Sequence, residues 1–274
     1  MQREGGTTSN GSQIARRTTS PHSMRVVTYN AHGCIGVDGA RSVERIADVL
    51  RACDADVIGL QEIDVGRARS GGMDQAEAIA VRLGMNHVFG AALDDGRGQY
   101  GNAILSRHPM EHVRTEKLPT WRAVSEPRCF VHARIDAPEL ALDVLVTHFG
   151  LGPIERMGQA RRVVDELERA STCTVLLGDL NCGRGSIAYR RVGKVLRDAQ
   201  QTADPARVRA TYPSWRPMLR IDHVFVAGGL EVLGSEVPTS GLARQASDHL
   251  PVIVTLRRAA DRDRDTDRAH SRLG

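Results

Sequence analysis

The sequence lacks any apolar run that approaches the roughly eighteen residues a helix needs to span a membrane. Its first residues also lack the continuous apolar stretch of a secretory signal peptide. The first absence excludes an integral membrane protein of the helical kind, and the second argues against export. We therefore expect a cytoplasmic protein without a transmembrane segment.

Cysteine is scarce, and its five copies form no Cys-x-x-Cys pair. An odd number without paired spacing argues against a disulfide framework and against a zinc site built on thiolates. We expect free, mostly buried thiols in a reducing compartment. The residues concerned are Cys34, Cys53, Cys129, Cys173 and Cys182.

Aromatic residues make up only 4% of the chain, and lysine occurs only twice, although the net charge is +4. The positive excess lies in the two ends, because residues 1–23 and residues 257–274 each carry a net +2. The remainder, residues 24–256, is therefore neutral. A neutral body with few aromatic rings offers little for gripping long nucleic acid by charge or by stacking.

Both ends of the chain lack the apolar periodicity of folded segments. Residues 1–23 are rich in Ser, Thr, Gly and Arg, and residues 257–274 alternate Asp with Arg. We expect both to be disordered tails. They flank a single domain over residues 24–256, since no repeat or Pro-rich linker divides the middle of the chain.

Apolar patterning in the middle predicts many strands and few helices. Strands are expected at Arg25–Asn30, Val57–Gln61, Asn102–Ser106, Cys129–Ile135, Leu140–His148, Thr174–Gly178, Ile221–Val226 and Leu250–Leu256. Helices are expected at Ser42–Cys53, with Ser42 as the N-cap, and from Asp74 to Leu83, with Asp74 and Glu77 as a capping box and Gly84 at the end. Two more are expected from about Glu155 to Arg169 and after Gly185. This content predicts an α+β sandwich of two packed sheets flanked by helices.

Six short segments place an acid, an amide or a histidine at the end of an apolar run. They contain Asn30 and His32, Glu62, His148, Asp179 and Asn181, Asp222, and finally Asp248 and His249. Together they supply the groups needed to hold a hard cation and to cleave a phosphate ester. The functional interpretation rests on this combination.

Asn30 and Glu62 end the first two predicted strands. A carboxylate and an amide oxygen at adjacent strand ends suit Mg²⁺, which prefers oxygen ligands and keeps several waters. Each residue alone also fits a simpler structural role, because Glu is common at solvated strand ends and Asn is common in turns.

Asp179 and Asn181 follow the apolar run Thr174–Leu177, and alternation along the chain points both to one side. The carboxylate can orient an attacking water or accept its proton, and the amide can donate to a phosphate oxygen. An Asx turn would use the same two residues, so that alternative stays open.

Two histidines stand in a setting that suits phosphate chemistry. A histidine held by a carboxylate stays basic, so Asp222 beside His249 would provide positive charge as negative charge grows on phosphorus. His148, at the end of the run Leu142–Val146, can donate to the same phosphate.

Arginine is the ordinary cation of this chain. Five arginines in the middle of the chain could line a groove that binds phosphate, but we interpret them as solvated surface residues. They are Arg67, Arg69, Arg97, Arg122 and Arg128.

The order and spacing of the six segments resemble the endonuclease/exonuclease/phosphatase superfamily, the fold of pancreatic deoxyribonuclease. The resemblance covers Arg25 to about Leu256. It implies a four-layer α/β sandwich with two mainly antiparallel sheets, and a phosphoesterase that depends on Mg²⁺ or Mn²⁺.

The resemblance also implies roles for the acids and amides. Glu62 would be the principal metal ligand, helped by Asn30, and Asp248 would support either the metal or His249. Asp179 would orient or deprotonate the water, and Asn181 would hold the phosphate.

For the remaining motif residues it implies contacts with the substrate. His249, oriented by Asp222, would stabilise the charge of the pentacoordinate state, and His148 would assist at the phosphate. Asn102, within the family-like segment Gly101–Arg107, would face the substrate, as would His32 beside Asn30.

At three places the sequence departs from the motifs of known groups within the superfamily, and these departures indicate the group to which it is most similar. His32 stands where the abasic-site endonucleases carry an acid, and Thr147-His148-Phe149 replaces their Tyr-x-x-Asn. Arg220-Ile221-Asp222-His223 replaces the Trp-Cys-Asp-Arg of the inositol-polyphosphate phosphatases. The remaining match is with small uncharacterised bacterial members of the superfamily.

The leading prediction is a monomeric enzyme that uses an activated water to hydrolyse a phosphodiester on a small or lipid-borne substrate. The alternatives are a DNA or RNA endonuclease or exonuclease, a phosphomonoesterase, and an inactive binding scaffold that keeps the fold.

Overall fold

A computed structural model describes residues 23–121, 125–138, 140–171 and 173–259 of the 274-residue chain. Nearly all of the two predicted disordered tails lies outside these ranges, and so does Arg122. Within the ranges, no helix combines the length and the apolar character that crossing a bilayer requires.

These ranges contain twelve strands and six α-helices. The strands are β1 (Met24–Asn30), β2 (Val57–Val65), β3 (Asn86–Asp94), β4 (Gln99–Ser106), β5 (Met110–Leu118), β6 (Arg128–Ile135), β7 (Leu142–His148), β8 (Thr174–Asp179), β9 (Arg197–Asp198), β10 (Asp222–Val226), β11 (Leu230–Glu236) and β12 (Val252–Arg258). The helices are α1 (Val43–Cys53), α2 (Gln75–Leu83), α3 (Pro153–Leu167), α4 (Ile187–Val192), α5 (Ala199–Ala203) and α6 (Gly241–Ala246).

The strands form two six-stranded sheets, in the orders β11-β12-β1-β2-β4-β3 and β5-β6-β7-β8-β10-β9. The central pairs β1–β2 and β7–β8 are parallel, and the other described neighbours are antiparallel. The prediction of two mainly antiparallel sheets is confirmed. Since the carboxyl ends of parallel strands meet at one edge, each sheet brings two strand ends together.

The two sheets pack face to face through small and branched side chains. Val26 and Val57 of the first sheet share a buried cluster with Val146 and Leu177 of the second. A Cβ added at Gly59 in β2 would lie 2.6 Å from Val146 Cγ2 and 3.0 Å from Leu177 Cβ. Only glycine therefore lets the sheets approach this closely near the ends of β2, β7 and β8.

Helices cover the outer face of each sheet and complete the four layers. Ile46 of α1 and Ile79 of α2 belong to one buried cluster with Leu60 of β2. Val163 of α3 belongs to another with Leu176 of β8. The four-layer α/β sandwich is thus confirmed.

Both predicted N-terminal helix signals work as expected. The Ser42 side chain accepts a hydrogen bond from the Arg45 backbone N–H, and Asp74 accepts one from Glu77. Gly84 ends α2 in a left-handed conformation, with φ +65°.

The strands that the sequence did not predict are β3, β5, β9 and β11. These four strands are the edges of the two sheets. Their side chains are largely half-buried or exposed, apart from the two-residue β9, so they lack the apolar runs by which central strands are recognised.

All five cysteines are free and buried, as predicted. Burial raises the pKa of the Cys34, Cys53 and Cys129 thiols to about 12. These thiols are therefore protonated and unreactive packing groups.

A buried polar network lies in the second sheet. His132 Nδ1 is 2.9 Å from Glu166 Oε1, and its Nε2 is 3.1 Å from Asp143 Oδ1. Burial lowers the pKa of His132, but hydrogen bonds and charge from Asp143 and Glu166 outweigh it, so the net pKa is raised. The ring is a buried imidazolium between two carboxylates.

Replacing His132 by Gln should lower the free energy of unfolding by up to about 3 kcal/mol, because two buried carboxylates lose the charged ring that bridges them and keep only part-exposed arginines, such as Arg114 and Arg134, as cations. The raised pKa means that this contribution is complete below the ordinary histidine value of about 6.5 and is lost as the pH rises through the folded-state value. Urea unfolding at mildly acidic and at alkaline pH measures the difference. His87→Gln, on an exposed side chain, is the control; an equal loss at both pH values would contradict a charged ring.

Candidate active site

The predicted site residues meet where the parallel strands end. Asn30 ends β1, His148 ends β7 and Asp179 ends β8. His148 and Asp179 are register neighbours, and Asp222 at the start of β10 pairs with Asp179 on the other side. The facing sheets thereby bring residues far apart in the sequence to one place.

Glu62 reaches this place through a break in the strand pattern. It lies in β2 with φ +60°, at a register shift between Leu60 and Ile63 in the pairing of β2 with β4. Such a bulge re-aims a side chain that simple alternation would direct elsewhere. A non-glycine residue in this region carries strain, which is common at functional sites.

The Asp179 carboxylate is the point on which the site converges. Its Oδ2 lies 3.1 Å from Asn30 Nδ2, 3.4 Å from His148 Nε2 and 3.7 Å from His249 Nε2. Burial and the charge of Asp222 raise the pKa of Asp179 to about 7. A carboxylate with such a pKa can accept a proton near neutrality.

Asn30 joins the two sheets by donating to two carboxylates. Its Nδ2 is 3.0 Å from Glu62 Oε1 and 3.1 Å from Asp179 Oδ2, while its Oδ1 accepts from the His32 backbone N–H. In this arrangement Asn30 bridges the acids through nitrogen. To become a metal ligand it would have to turn its amide and present the oxygen, so the predicted ligand role stays a prediction.

Asp222 and His249 form a close pair. Asp222 Oδ2 lies 2.9 Å from His249 Nδ1 and also accepts from the Thr211 hydroxyl, and the Tyr212 ring packs on the imidazole at 4.8 Å. Burial lowers the pKa of His249, but the charge and hydrogen bond of Asp222 outweigh it and raise the pKa to about 10. This ring is positively charged at neutral pH.

The His148 ring, unlike that of His249, is neutral. Burial, the charge of Arg128 and the charge of His249 lower its pKa well below the ordinary value. Arg128 Nη1 lies 3.1 Å from Nδ1, and because arginine only donates, the ring proton belongs on Nε2, facing Asp179. His148 is thus a neutral donor.

The interpretation of Arg128 as a solvated surface residue is wrong. Arg128 is 6% exposed, contacts His148 and lies 2.8 Å from Glu126 Oε2. It begins a buried strand, as Asp222 does, and that position was the available signal. Thr211 and Tyr212 lie in a loop without such a signal.

The other four arginines fit the surface interpretation to different degrees. Arg97 is exposed, and Arg69 is half-exposed but bonded to the buried Asp64. Arg67 is part-buried beside Asp95. Arg122 lies outside the described residues.

Asn181 turns its amide toward His148. Its Nδ2 donates to the Phe149 carbonyl at 2.8 Å and lies 3.0 Å from His148 Nε2, while its backbone N–H donates to Asp179 Oδ1. The predicted Asx turn is therefore present, and with φ +50° it also carries the amide into the site.

The remaining predicted residues lie at the margins. Asp248 Oδ1 is 3.6 Å from His32 Nδ1, and His32 is half-exposed. Among the described residues, no hydrogen bond or ion pair joins Asp248 to Glu62. Asn102 is buried and donates to the Cys129 carbonyl, so it ties β4 to β6; its predicted contact with substrate stays a prediction.

The donor set fits a hard divalent cation. Glu62, Asp179 and Asp222 offer carboxylate oxygens. Burial raises the pKa of Glu62 despite the Asn30 hydrogen bond and the charge of Arg128, so a bound cation would stabilise its charged form.

Asp179, Asp222 and His249 also place ligand atoms within 4.8 Å of one another. Both nitrogens of His249 face carboxylates, so the charged ring already neutralises Asp179 and Asp222 and has no free nitrogen for a metal. Glu62 is therefore the more suitable metal ligand.

A cavity of about 650 Å³ adjoins this centre. Arg128 and Glu155 provide polar walls, and Trp121, Leu151 and Ile154 provide apolar ones. The cavity leaves room beside His148 for a group attached to a phosphate.

Comparison with known proteins shows the family to which this sequence is similar. The sequence profile of the Endonuclease/Exonuclease/phosphatase family matches residues 27–249, which include every predicted site residue. The chain is similar to Uncharacterized protein YbhP of Escherichia coli (strain K12), with 26% identity over 252 residues, 87% of this chain and 98% of that protein.

Solved structures show the same fold. An endonuclease/exonuclease/phosphatase from Beutenbergia cavernae DSM 12333 aligns with a TM-score of 0.68 and 25% identity over 87% of this chain and 72% of that one. A mannosyl-6-phosphatase from Bacteroides thetaiotaomicron VPI-5482 aligns with a TM-score of 0.65 and 24% identity over 85% and 99%.

Replacing Asp222 by Asn should lower the pKa of His249 from about 10 toward the ordinary histidine value, because the carboxylate beside Nδ1 is the main group that raises it. Histidine NMR titration of the metal-free protein measures this change. Asp165→Asn, on α3 away from the site, is the matched control. An unchanged His249 titration in Asp222→Asn would show that the pair is not electrostatically linked.

Proposed function

The chain belongs to the Endonuclease/Exonuclease/phosphatase family, whose members are metal-dependent phosphoesterases, and we propose that it hydrolyses a phosphodiester by attack of an activated water. The observation that carries this proposal is the convergence on Asp179 Oδ2 of Asn30, His148 and His249, which come from both sheets. Asp179 can accept a proton, His249 is positively charged and His148 is a neutral donor, and hydrolysis of a phosphate ester uses all three kinds of group.

Asp179 is the proposed base. As the water oxygen bonds to phosphorus, its proton passes to the Asp179 carboxylate, whose raised pKa favours acceptance. The charged His249 stabilises the growing negative charge and gives its Nε2 proton to the departing oxygen as the second P–O bond breaks. Asp179 lies 3.7 Å from that nitrogen, so the proton can return and restore both groups.

The phosphate would be held on the side of the second sheet. Asn181 offers an amide donor, and the neutral His148 offers Nε2–H without adding charge. Arg128 would act as a positioning residue, because it holds the Nδ1 side of His148 and so fixes which nitrogen carries the proton.

Mg²⁺ or Mn²⁺ is the proposed cofactor, with Glu62 as its principal ligand and Asn30 and Asp248 as supporting groups. The donor set is made of oxygens, which these ions prefer. A bound ion would draw charge from the phosphate oxygens and make phosphorus more electrophilic.

A diester on a small or lipid-borne substrate suits the surroundings best. The cavity beside Arg128 can take an ester group attached to the phosphate. Few aromatic side chains, and no net charge over residues 24–256, offer little for holding a long polynucleotide.

Glu62→Gln and Asp179→Asn should each lower metal-dependent turnover of a chromogenic phosphodiester by about a hundredfold or more, since each removes a charge but little volume. Glu77→Gln, on the exposed face of α2, is the matched control. Titration with Mg²⁺ or Mn²⁺ and unfolding curves accompany the assay. Activity without metal, or a fully active Glu62→Gln, would contradict the proposed metal role, and no activity in the wild type would favour a binding scaffold.

A substrate panel tests the substrate class. Plasmid DNA, a phosphomonoester, a chromogenic diester and a phospholipid are compared with Mg²⁺ at about 0.15 M salt, where surface charges are largely screened. We expect the diester and the phospholipid to be turned over fastest. Efficient plasmid cleavage that is lost in Asp179→Asn, without activity on the smaller esters, would instead identify a nuclease.

A further inference from the structure

The chain has two tryptophans, and both are largely exposed. Trp121 is 65% exposed and Trp215 is 62% exposed. Large apolar side chains near them are exposed to a similar extent: Leu151, Ile154, Met218 and Leu219. We call these six residues the apolar rim. Single exposed apolar residues are ordinary, but a group of this kind marks a binding surface.

The apolar rim lies on three loops at one end of the second sheet, with Ile154 in the first turn of α3 that follows one of them. Trp121 lies in the loop before β6, Leu151 follows β7, and Trp215 lies in the loop before β10. In the register, the start of β6 faces the end of β7, and the start of β10 faces the end of β8. All three loops are therefore at the end that carries His148 and Asp179.

Short chains of contacts connect the rim to the site on both sides. Trp121 lines the cavity with Arg128, which contacts His148. On the other side, Tyr212 packs on His249, three residues before Trp215. Since both histidines face Asp179 Oδ2, the polar site lies between the two tryptophans.

The rim is held in place by hydrogen bonds. Arg244 donates to the carbonyls of Ser214 and Trp215, and the Ser214 backbone N–H donates to the Asp248 carbonyl at 2.7 Å. Arg156 donates to the Leu151 carbonyl. The exposed side chains are thus presented on anchored backbone, which reduces the entropy lost when they bind.

We propose that the apolar rim docks on a lipid surface and that the substrate is a phosphodiester within that surface. This inference rests on the proposed function. A phospholipid places its phosphodiester directly beside hydrocarbon, which matches a polar site between apolar loops. Trp and Met suit the boundary between headgroups and acyl chains, and the exposed Arg216, between Trp215 and Met218, complements anionic headgroups.

A nucleic acid would require a different rim. Its phosphates are bound mainly by lysine and arginine, and its affinity comes largely from released counterions. The six exposed side chains of the apolar rim carry no charge, and the exposed Arg216 lies between two of them in the sequence. A lipid surface is therefore the occupant that the side chains favour.

The tryptophans provide a direct test, because they are the only two in the chain. Metal-free protein is mixed with phosphatidylcholine vesicles that contain phosphatidylglycerol, with and without brominated acyl chains. We expect a blue shift of the emission and its quenching by bromine. Trp121→Phe and Trp215→Phe leave one tryptophan each, and both single-tryptophan proteins should respond. No response in the wild type would overturn the proposal.

Binding is then measured by vesicle sedimentation. Trp215→Ser and the double variant Trp215→Ser with Met218→Ser should each weaken partitioning by about tenfold or more, while turnover of a soluble chromogenic diester stays near that of the wild type. The control is Ile187→Ser, which removes a 55% exposed apolar side chain on α4. Equal losses in the control and in the rim variants would contradict a specific docking surface.

Two further results would separate the proposals. Vesicle binding without hydrolysis of any phosphodiester would overturn the proposed function but support the docking surface. A blue shift that grows with protein concentration in the absence of lipid, together with a dimer in analytical ultracentrifugation, would identify the rim as a contact between copies of this chain and would overturn lipid docking.

Discussion

Burial of the Asp179 carboxylate is the constraint on which the site depends. Removing a carboxylate from water is costly unless charge or hydrogen bonds replace the lost solvation. His249, the Asn181 backbone N–H and Asn30 supply part of this, yet the pKa of Asp179 is still raised, because burial and the second negative charge of Asp222 outweigh them. The fold therefore holds a base that is ready to take up a proton. Gly59 lets the two sheets approach closely beside Val146 and Leu177, near the ends of β7 and β8.

Two histidines beside the same carboxylate oxygen differ in charge because their other neighbours differ. Asp222 keeps His249 protonated, whereas Arg128 and burial keep His148 neutral. If both rings were charged, they would repel each other. Their two positive charges would also lower the pKa of Asp179, which would then be too weak a base to take the proton of water. The division gives one cation for the developing charge and one uncharged donor for the phosphate. Arg128 is thus as much a part of the site as the residues it positions.

The sequence predicted what depends on continuous apolar runs and on motif order. The central strands, the caps at Ser42 and Asp74, and the set of polar residues at strand ends follow from such local signals. The edge strands could not be predicted, because one or both of their faces are exposed. The bulge at Glu62 and the partners of Arg128 also escaped prediction, since both depend on neighbouring strands rather than on local sequence.

Composition tells how many residues of each type the chain has, but not where the fold places them. The scarcity of aromatic residues predicts few stacking surfaces, but it could not reveal that both tryptophans lie at the mouth of the site. Placement changes their meaning, because two exposed indoles elsewhere would be ordinary surface residues. Beside a buried base and a charged histidine, they define which molecules can approach. A phosphate reaches Asp179 most readily when the groups attached to it are compatible with an apolar rim, and lipid meets that condition better than a polynucleotide does.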